Sequence, residues 1–345
     1  MIINYLKGSK QDFLNFVNSI PSDGKVAILS HVDLDGLSSA VFLEEILGVK
    51  GINIEYIDFL EIKSEMVHEV GIKLKSLGIT HAFFCDIGID SIDFEGFKEL
   101  RESIEVFLID HHPMNKAVSS WDKIIKTDSQ DCCGMTCFFL GEGIIDYEEW
   151  NWLVCSAIFS DFSYKSEKNF NYMKKVYPEI TYENISSSVP GINSRTIASA
   201  LIYYKGNEKH VYDLVKERNL GKLREFAQIV EDEIDRLVKN FSKEKEYLEK
   251  SDIYFYEIKS NFNLVSIVCT IVSKLKPESS FVFMQKFEDF VKFSARNQNS
   301  SKDMGKLMKF CVNGLDGASG GGHIPAAAAK IKEKDLEEFK KRLLE

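Results

Sequence analysis

The sequence predicts an α/β protein: an N-terminal parallel sheet with helices on both faces, a helical connector, and a smaller C-terminal α/β domain. Three observations carry that expectation. Apolar runs alternate with segments of helical spacing over the first 165 residues, the order expected of a parallel sheet covered by crossover helices. Those runs are apolar throughout, as strands buried on both faces are. The alternation lapses near residue 145 and returns near 250, in a chain of 345 residues, which exceeds what one hydrophobic core usually serves.

The elements follow in order. KVAILSHVD (25–33) reads as a strand, GLSSAVFLEEIL (36–47) as a helix and NIEYIDF (53–59) as a second strand. SEMVHEVGIKLKSLG (64–78) has amphipathic helical spacing closed by a glycine. HAFFCDIG (81–88) and IEVFLIDHH (104–112) are two further strands, with SIDFEGFKELRE as the helix between them. From about 145 to 250 the chain reads as helices, including EEWNWLVCSAIFSDFSY and the charged stretch 222–250, polar on most faces as a helix bridging two domains often is. SSSVPGINS (186–194), with Pro190 and Gly191, is expected to be a loop. In the last hundred residues DIYFYEI (252–258), SSFVFMQ (279–285) and DFVKFSAR (289–296) read as strands, with KFED as a hairpin turn. DMGKLMKFCVN (303–313) reads as a helix, GLDGASGGGH (314–323) as a glycine-rich loop, AAAAKI as a strand and DLEEFKKRLLE as a closing helix. The expected division is 1–175, 176–250 and 251–345.

Composition excludes several classes. The chain is 44% hydrophobic and 28% charged, ordinary for a soluble globular protein. No apolar run approaches the roughly 20 residues of a membrane span. The opening MIINYLKGSKQDFLNF has no basic region followed by an apolar core, so no secretory leader is expected and a cytoplasmic location is. The seven cysteines are scattered without a CxxC pair, which argues for reduced thiols and against a zinc ribbon. A net charge of −10 disfavours a large non-specific grip on duplex DNA, yet leaves room for bound divalent cations.

The chemistry stands at the strand ends. The first strand runs into His31, Asp33 and Asp35, the third ends at Asp86, and the fourth at Asp110-His111-His112. In open parallel sheets ligands bind beyond the carboxyl ends of the strands, so three strands deliver acidic and imidazole groups to one edge. Taken alone, HVDLDG could be an Asx turn followed by a helix cap, and Asp86 a turn residue. A mixed Asp/His set without cysteine suits Mn²⁺ first and Mg²⁺ second. It is too large for one ion, and two ions roughly 3.5–4 Å apart can clamp a phosphoryl transfer.

These residues resemble the motifs of the DHH phosphoesterase superfamily, named for the triplet found here as Asp110-His111-His112. His31-x-Asp33-x-Asp35-Gly36 resembles its first motif, with the spacing of the RecJ-like exonuclease branch, and Asp86 its second. Asp161, in AIFSDFSYK, resembles the fourth, where many members have Asp-Thr-Gly; here Phe162 and Ser163 follow. Gly320-Gly321-Gly322-His323 resembles the glycine-rich motif of the associated DHHA1 domain, and SARNQ, with Arg296, the segment before it.

The resemblance implies that His31, Asp33 and Asp86 hold one metal and that Asp35, Asp86, His111 and Asp161 hold the second, with Asp86 bridging. It implies a metal-activated water as nucleophile, His112 on the substrate phosphate, and Asp110 orienting a histidine. Arg296 and His323 would bind substrate across a cleft, Gly320, Gly321 and Gly322 letting backbone approach it. The implied substrates are short oligonucleotides, dinucleotides or nucleotides. A RecJ-like exonuclease on longer single strands, or a catalytically silent nucleotide-binding module, are the alternatives. The oligomeric state is left open.

Overall fold

In a computed structural model, which describes residues 3–63 and 66–344, the chain divides into two compact units, Met1–Ala227 and Gln228–Glu345. The first is built on β1 (Tyr5–Lys7), α1 (Lys10–Ser19), β2 (Val26–His31), α2 (Leu34–Val49), β3 (Ile54–Leu60), α3 (Met66–Ser76), β4 (His81–Cys85), α4 (Ile89–Ile92), α5 (Phe94–Arg101), β5 (Glu105–Asp110) and β6 (Ile124–Thr127). Helices α6 (Cys133–Leu140), α7 (Tyr147–Ser160), α8 (Glu167–Val176), α9 (Val189–Tyr203) and α10 (Glu208–Lys216) follow, and the division between the units falls within α11 (Leu220–Glu244). Ser64 and Glu65, expected to open α3, lie outside the described residues.

The six strands form one sheet in the order β1-β6-β5-β4-β2-β3. All neighbours are parallel except β1, which lies antiparallel at the edge against β6. Side chains alternate across the sheet. Ile28, Phe83 and Phe107 enter one core with residues of α1, α2, α6 and α7, while Leu29, Phe84 and Leu108 enter another with residues of α3 and α5. From β2 the chain builds first to one side, through β3, and then to the other, through β4. The junction of β2 and β4 is therefore a topological switch point, where ligands bind in such sheets.

The second unit holds β7 (Glu246–Leu248), β8 (Ile253–Ile258), α12 (Val265–Leu275), β9 (Ser280–Lys286), β10 (Val291–Asn297), α13 (Met304–Val312), β11 (Ser319–Gly322), β12 (Ala326–Ile331) and α14 (Leu336–Leu343). Its six-stranded sheet runs β11-β12-β10-β9-β8-β7. Only β8 and β9 pair in parallel. Met304, Met308, Phe339 and Leu343 close a separate core against it.

Four expectations need correction. SSSVPGINS is the start of α9: Ser188 caps it through the Gly191 N–H, and Pro190 sits in the first turn, where its missing N–H costs nothing. The helix expected between β4 and β5 is broken in two at Asp93, which caps α5. The charged stretch 222–250 is amphipathic, burying Leu223, Ala227, Val230, Leu237 and Phe241, and it ends at Glu244 with Glu246–Leu248 turning into β7. The glycine-rich segment is only partly a loop, because Ser319–Gly322 pairs as edge strand β11 with β12. A Cβ at Gly322 would lie 2.6 Å from the Ala327 Cα, so only glycine admits this strand.

Candidate metal centre

The site is assembled at the carboxyl ends of β2, β4 and β5. β2 ends at His31, and the next turn caps α2: Asp33 is its N-cap, accepting the Gly36 N–H at 3.0 Å. Asp33 keeps its second oxygen for His31, with Nδ1 2.9 Å from Oδ2. Asp35, in the first turn of α2, is buried. Its Oδ2 accepts the Cys133 N–H and its Oδ1 the Gly134 N–H, both at 2.8 Å. These amides open α6, whose N-terminus carries the positive end of the helix dipole and favours an anion.

Asp86 follows β4 with φ of +59°. Left-handed backbone costs an L-residue roughly 1–2 kcal/mol, and residues held so cluster at functional sites. The turn aims one oxygen at each of two histidines: Oδ2 lies 3.7 Å from His31 Nδ1 and Oδ1 3.4 Å from His111 Nε2. Beyond β5, His111 also faces Asp35, at 4.0 Å, and Asp161 at the end of α7, at 3.7 Å. His112 bonds a different carboxylate, its Nδ1 2.7 Å from Asp110 Oδ1. An ionised carboxylate only accepts, so Nδ1 donates and Nε2 is left for another partner.

Donor atoms of His31, Asp33 and Asp86 lie within 4.8 Å of one another, as do those of Asp35, His111 and Asp161, and those of Asp86, His111 and His112. All six residues expected to hold metal are thus brought together in two triads, and Asp86 stands between them. A mixed carboxylate and imidazole set of this size fits divalent cations that accept both oxygen and nitrogen.

The electrostatics agree. Burial lowers the His31 pKa, but hydrogen bonds to Asp33 and Asp86 and their charges outweigh it and push it up to about 10. His111 is raised in the same way, against burial, by Asp86, Asp35 and Asp161. Burial raises Asp35, and the carboxylates of Asp86 and Asp161 add to it. Burial likewise raises Asp161.

Three supporting features were not anticipated. Lys126 of β6 is fully buried, with Nζ 2.7 Å from Asp90 Oδ1, 2.5 Å from Asp110 Oδ2 and 3.3 Å from the His112 carbonyl. It ties the DHH triplet to α4. The amides of Cys133 and Gly134 are the second feature. The third is Ser163, buried, whose Oγ accepts the Cys132 N–H and donates to Asp161 at 3.5 Å. A lysine inside an apolar strand was the visible signal for the first, because lysine is almost never buried unpaired.

The remaining expected residues belong to the second unit. Arg296, on β10, bonds the Thr270 hydroxyl and the carbonyls of Ala295 and Ala327. Gly320, Gly321 and Gly322 form β11, and exposed His323 begins the turn to β12.

The comparisons accord with this architecture. Residues 25–158 match the family model of the DHH family, N-terminal domain, and residues 252–345 that of the DHHA1 domain. The chain thus carries a DHH domain followed by a DHHA1 domain, a combination that supports a metal-dependent phosphoesterase. Among solved structures, an exonuclease RecJ bound to manganese superposes with a TM-score of 0.73 at 16% identity, over 99% of this chain and 94% of that one. RecJ from Thermus thermophilus with Mn²⁺ gives 0.70 at 13% identity, over 97% of this chain and 54% of that one. An exopolyphosphatase-related protein from Bacteroides fragilis gives 0.57 at 12%, over 97% and 95%. At these identities the likeness establishes the fold. The search of curated protein sequences finds no match. Among the described residues no helix is long and apolar enough to cross a membrane.

Proposed function

We propose that the chain hydrolyses phosphate ester bonds of short oligonucleotides, dinucleotides or nucleotides at a pair of divalent metals, Mn²⁺ before Mg²⁺. The observation that carries this reading is the pair of donor triads, with Asp86 of one 3.4 Å from His111 of the other. His31, Asp33 and Asp86 would hold one ion, and Asp35, Asp86, His111 and Asp161 the other. Such a pair supplies an activated water and neutralises developing phosphate charge. The protein's own groups do the rest. Asp86 spaces the triads. The α6 amides hold Asp35 in place. Asp110 fixes the His112 ring through Nδ1 and raises its pKa, which favours the protonated ring that would donate Nε2–H to a substrate phosphate. Arg296, His323 and the backbone of Gly320–Gly322 are proposed to bind substrate, a reading supported by the DHHA1 match.

Short substrates are favoured over long strands because a chain of net charge −10 offers little of the basic groove that long single strands require. The test is hydrolysis with Mn²⁺ of labelled RNA and DNA from dinucleotides through 5-mers to 30-mers. Cleavage concentrated on the shortest species supports the reading. Loss of the 30-mers first reassigns the chain to exonuclease action, and stabilisation by nucleotide without turnover to a binding module.

A further inference from the structure

Phe162 follows Asp161 directly and is left-handed, with φ of +56°. It occupies the position past the end of a helix where glycine is the usual choice. A sequence needing only a helix stop has no use for an aromatic there. Its flanking residues are pinned: Asp161 faces His111 at 3.7 Å, and buried Ser163 accepts the Cys132 N–H. The residue between them is turned outward, 53% exposed. The Tyr164 ring lies 6.2 Å away and is itself stacked on Phe159 at 5.6 Å and 15°. The Lys165 ammonium sits 4.9 Å from the Phe162 ring centroid. An exposed aromatic ring, a cation and a carboxylate of the candidate metal centre thus stand within five residues of one chain.

We propose that Phe162, supported by Tyr164 and Lys165, is the stacking platform for the nucleobase beside the phosphate being hydrolysed. The inference rests on the nucleotide reading above and narrows it. A ring face binds any base, since every base has a π-face, so the site would select for the presence of a base and hardly for its identity. A substrate without bases, such as a polyphosphate, would gain nothing from Phe162. Lys165 is placed to meet a phosphate or the electron-rich face of the stacked ring.

The experiment compares the Mn²⁺-loaded full chain with Phe162→Leu and Phe162→Trp. Each is given a dinucleotide and its abasic counterpart, in which the sugar-phosphate chain is kept and the bases are absent. The readout is the ratio of the two kcat/KM values. Phe162→Leu should lower that ratio roughly 5- to 150-fold, the worth of one stacked base, and Phe162→Trp should restore it. An equal ratio in all three proteins overturns the proposal. A second measurement does not depend on turnover: in Phe162→Trp, AMP should quench indole fluorescence and ribose 5-phosphate should not. Equal quenching by both, or by neither, overturns the platform. Wild-type protein that hydrolyses neither dinucleotide fails the phosphoesterase reading instead, and the fluorescence result then stands by itself.

Discussion

The Asp35 carboxylate is anchored by the backbone N–H of Gly134, at 2.8 Å and from 99 residues away. That contact needs glycine. A Cβ at position 134 would lie 2.1 Å from the Ser38 Oγ and 3.0 Å from Asp35 Oδ1. Ser38 is fully buried and donates to the Asp35 carbonyl, so it has little room to yield. Gly134→Ala should therefore destabilise by about 1–3 kcal/mol through overpacking. It should also weaken Mn²⁺ binding by about 10–100-fold, the usual effect of disturbing a group that holds a metal ligand. Thermal melting and calorimetric titration of the same sample check both. Wild-type affinity in a folded Gly134→Ala protein would show that the α6 amides do not position Asp35.

Lys126 makes a sharper stability prediction. Its ammonium is buried between Asp90 and Asp110. Removing one partner of a buried ion pair leaves an uncompensated charge and costs roughly 3–5 kcal/mol, so Lys126→Met should unfold at markedly lower denaturant than wild type. The pH dependence has a definite sign. Burial would raise the Asp110 carboxyl, yet the hydrogen bond from His112 and the Lys126 charge hold it well below its ordinary value of 3.8. A depressed native pKa contributes stability that is complete above the unfolded value and lost as pH falls below it. Acid titration of wild type should show that loss below about pH 4, and Asp110→Asn should flatten it. A loss under about 1 kcal/mol in Lys126→Met would contradict the buried pairing.

How much of this was legible in the sequence depends on whether the cause is local. The buried parallel strands declare themselves by continuous apolar runs, and the residues that end them were found because the strand ends were found. Pro190 misled because Ser-Pro-Gly composition marks turns, although Ser188 followed by a first-turn proline is equally a helix start. Strand β11 was invisible because three glycines have no strand preference; its cause is the close approach of β12. The role of Lys126 depends on Asp110 and Asp90, 16 and 36 residues away, and the Asp35 anchor on a contact across 99. Such pairings exist only once the sheet has formed.

Asp86 is the residue whose loss should be least tolerated. It is 2% exposed, faces both histidines, and holds left-handed backbone. Asp86→Asn is the informative variant, because asparagine also accepts that backbone region while losing the charge. Turnover should fall by more than about 100-fold, beyond what disturbing a supporting residue costs, with melting temperature kept in the metal-free protein. Full Mn²⁺-dependent turnover by Asp86→Asn would end the two-metal reading.

Metal binding should release protons. At neutral pH the metal-free site keeps His31 protonated, its pKa pushed up to about 10 against burial by Asp33 and Asp86, and His111 is raised similarly. A cation can bind only the neutral ring, so protons and metal compete. Apparent Mn²⁺ affinity should therefore strengthen as pH rises from 6.5 to 8.5, by up to about tenfold per pH unit for each proton displaced. In the metal-free protein the sign reverses. A raised native pKa stabilises fully below the unfolded value near 6.5, and that stability is lost as pH rises through about 10. Calorimetry in two buffers of different ionisation enthalpy counts the protons directly, and His31→Gln should lower the count by one. An affinity that stays flat over this range would mean that the two histidines are already neutral, and that the carboxylates around them are not drawn together as the geometry has them.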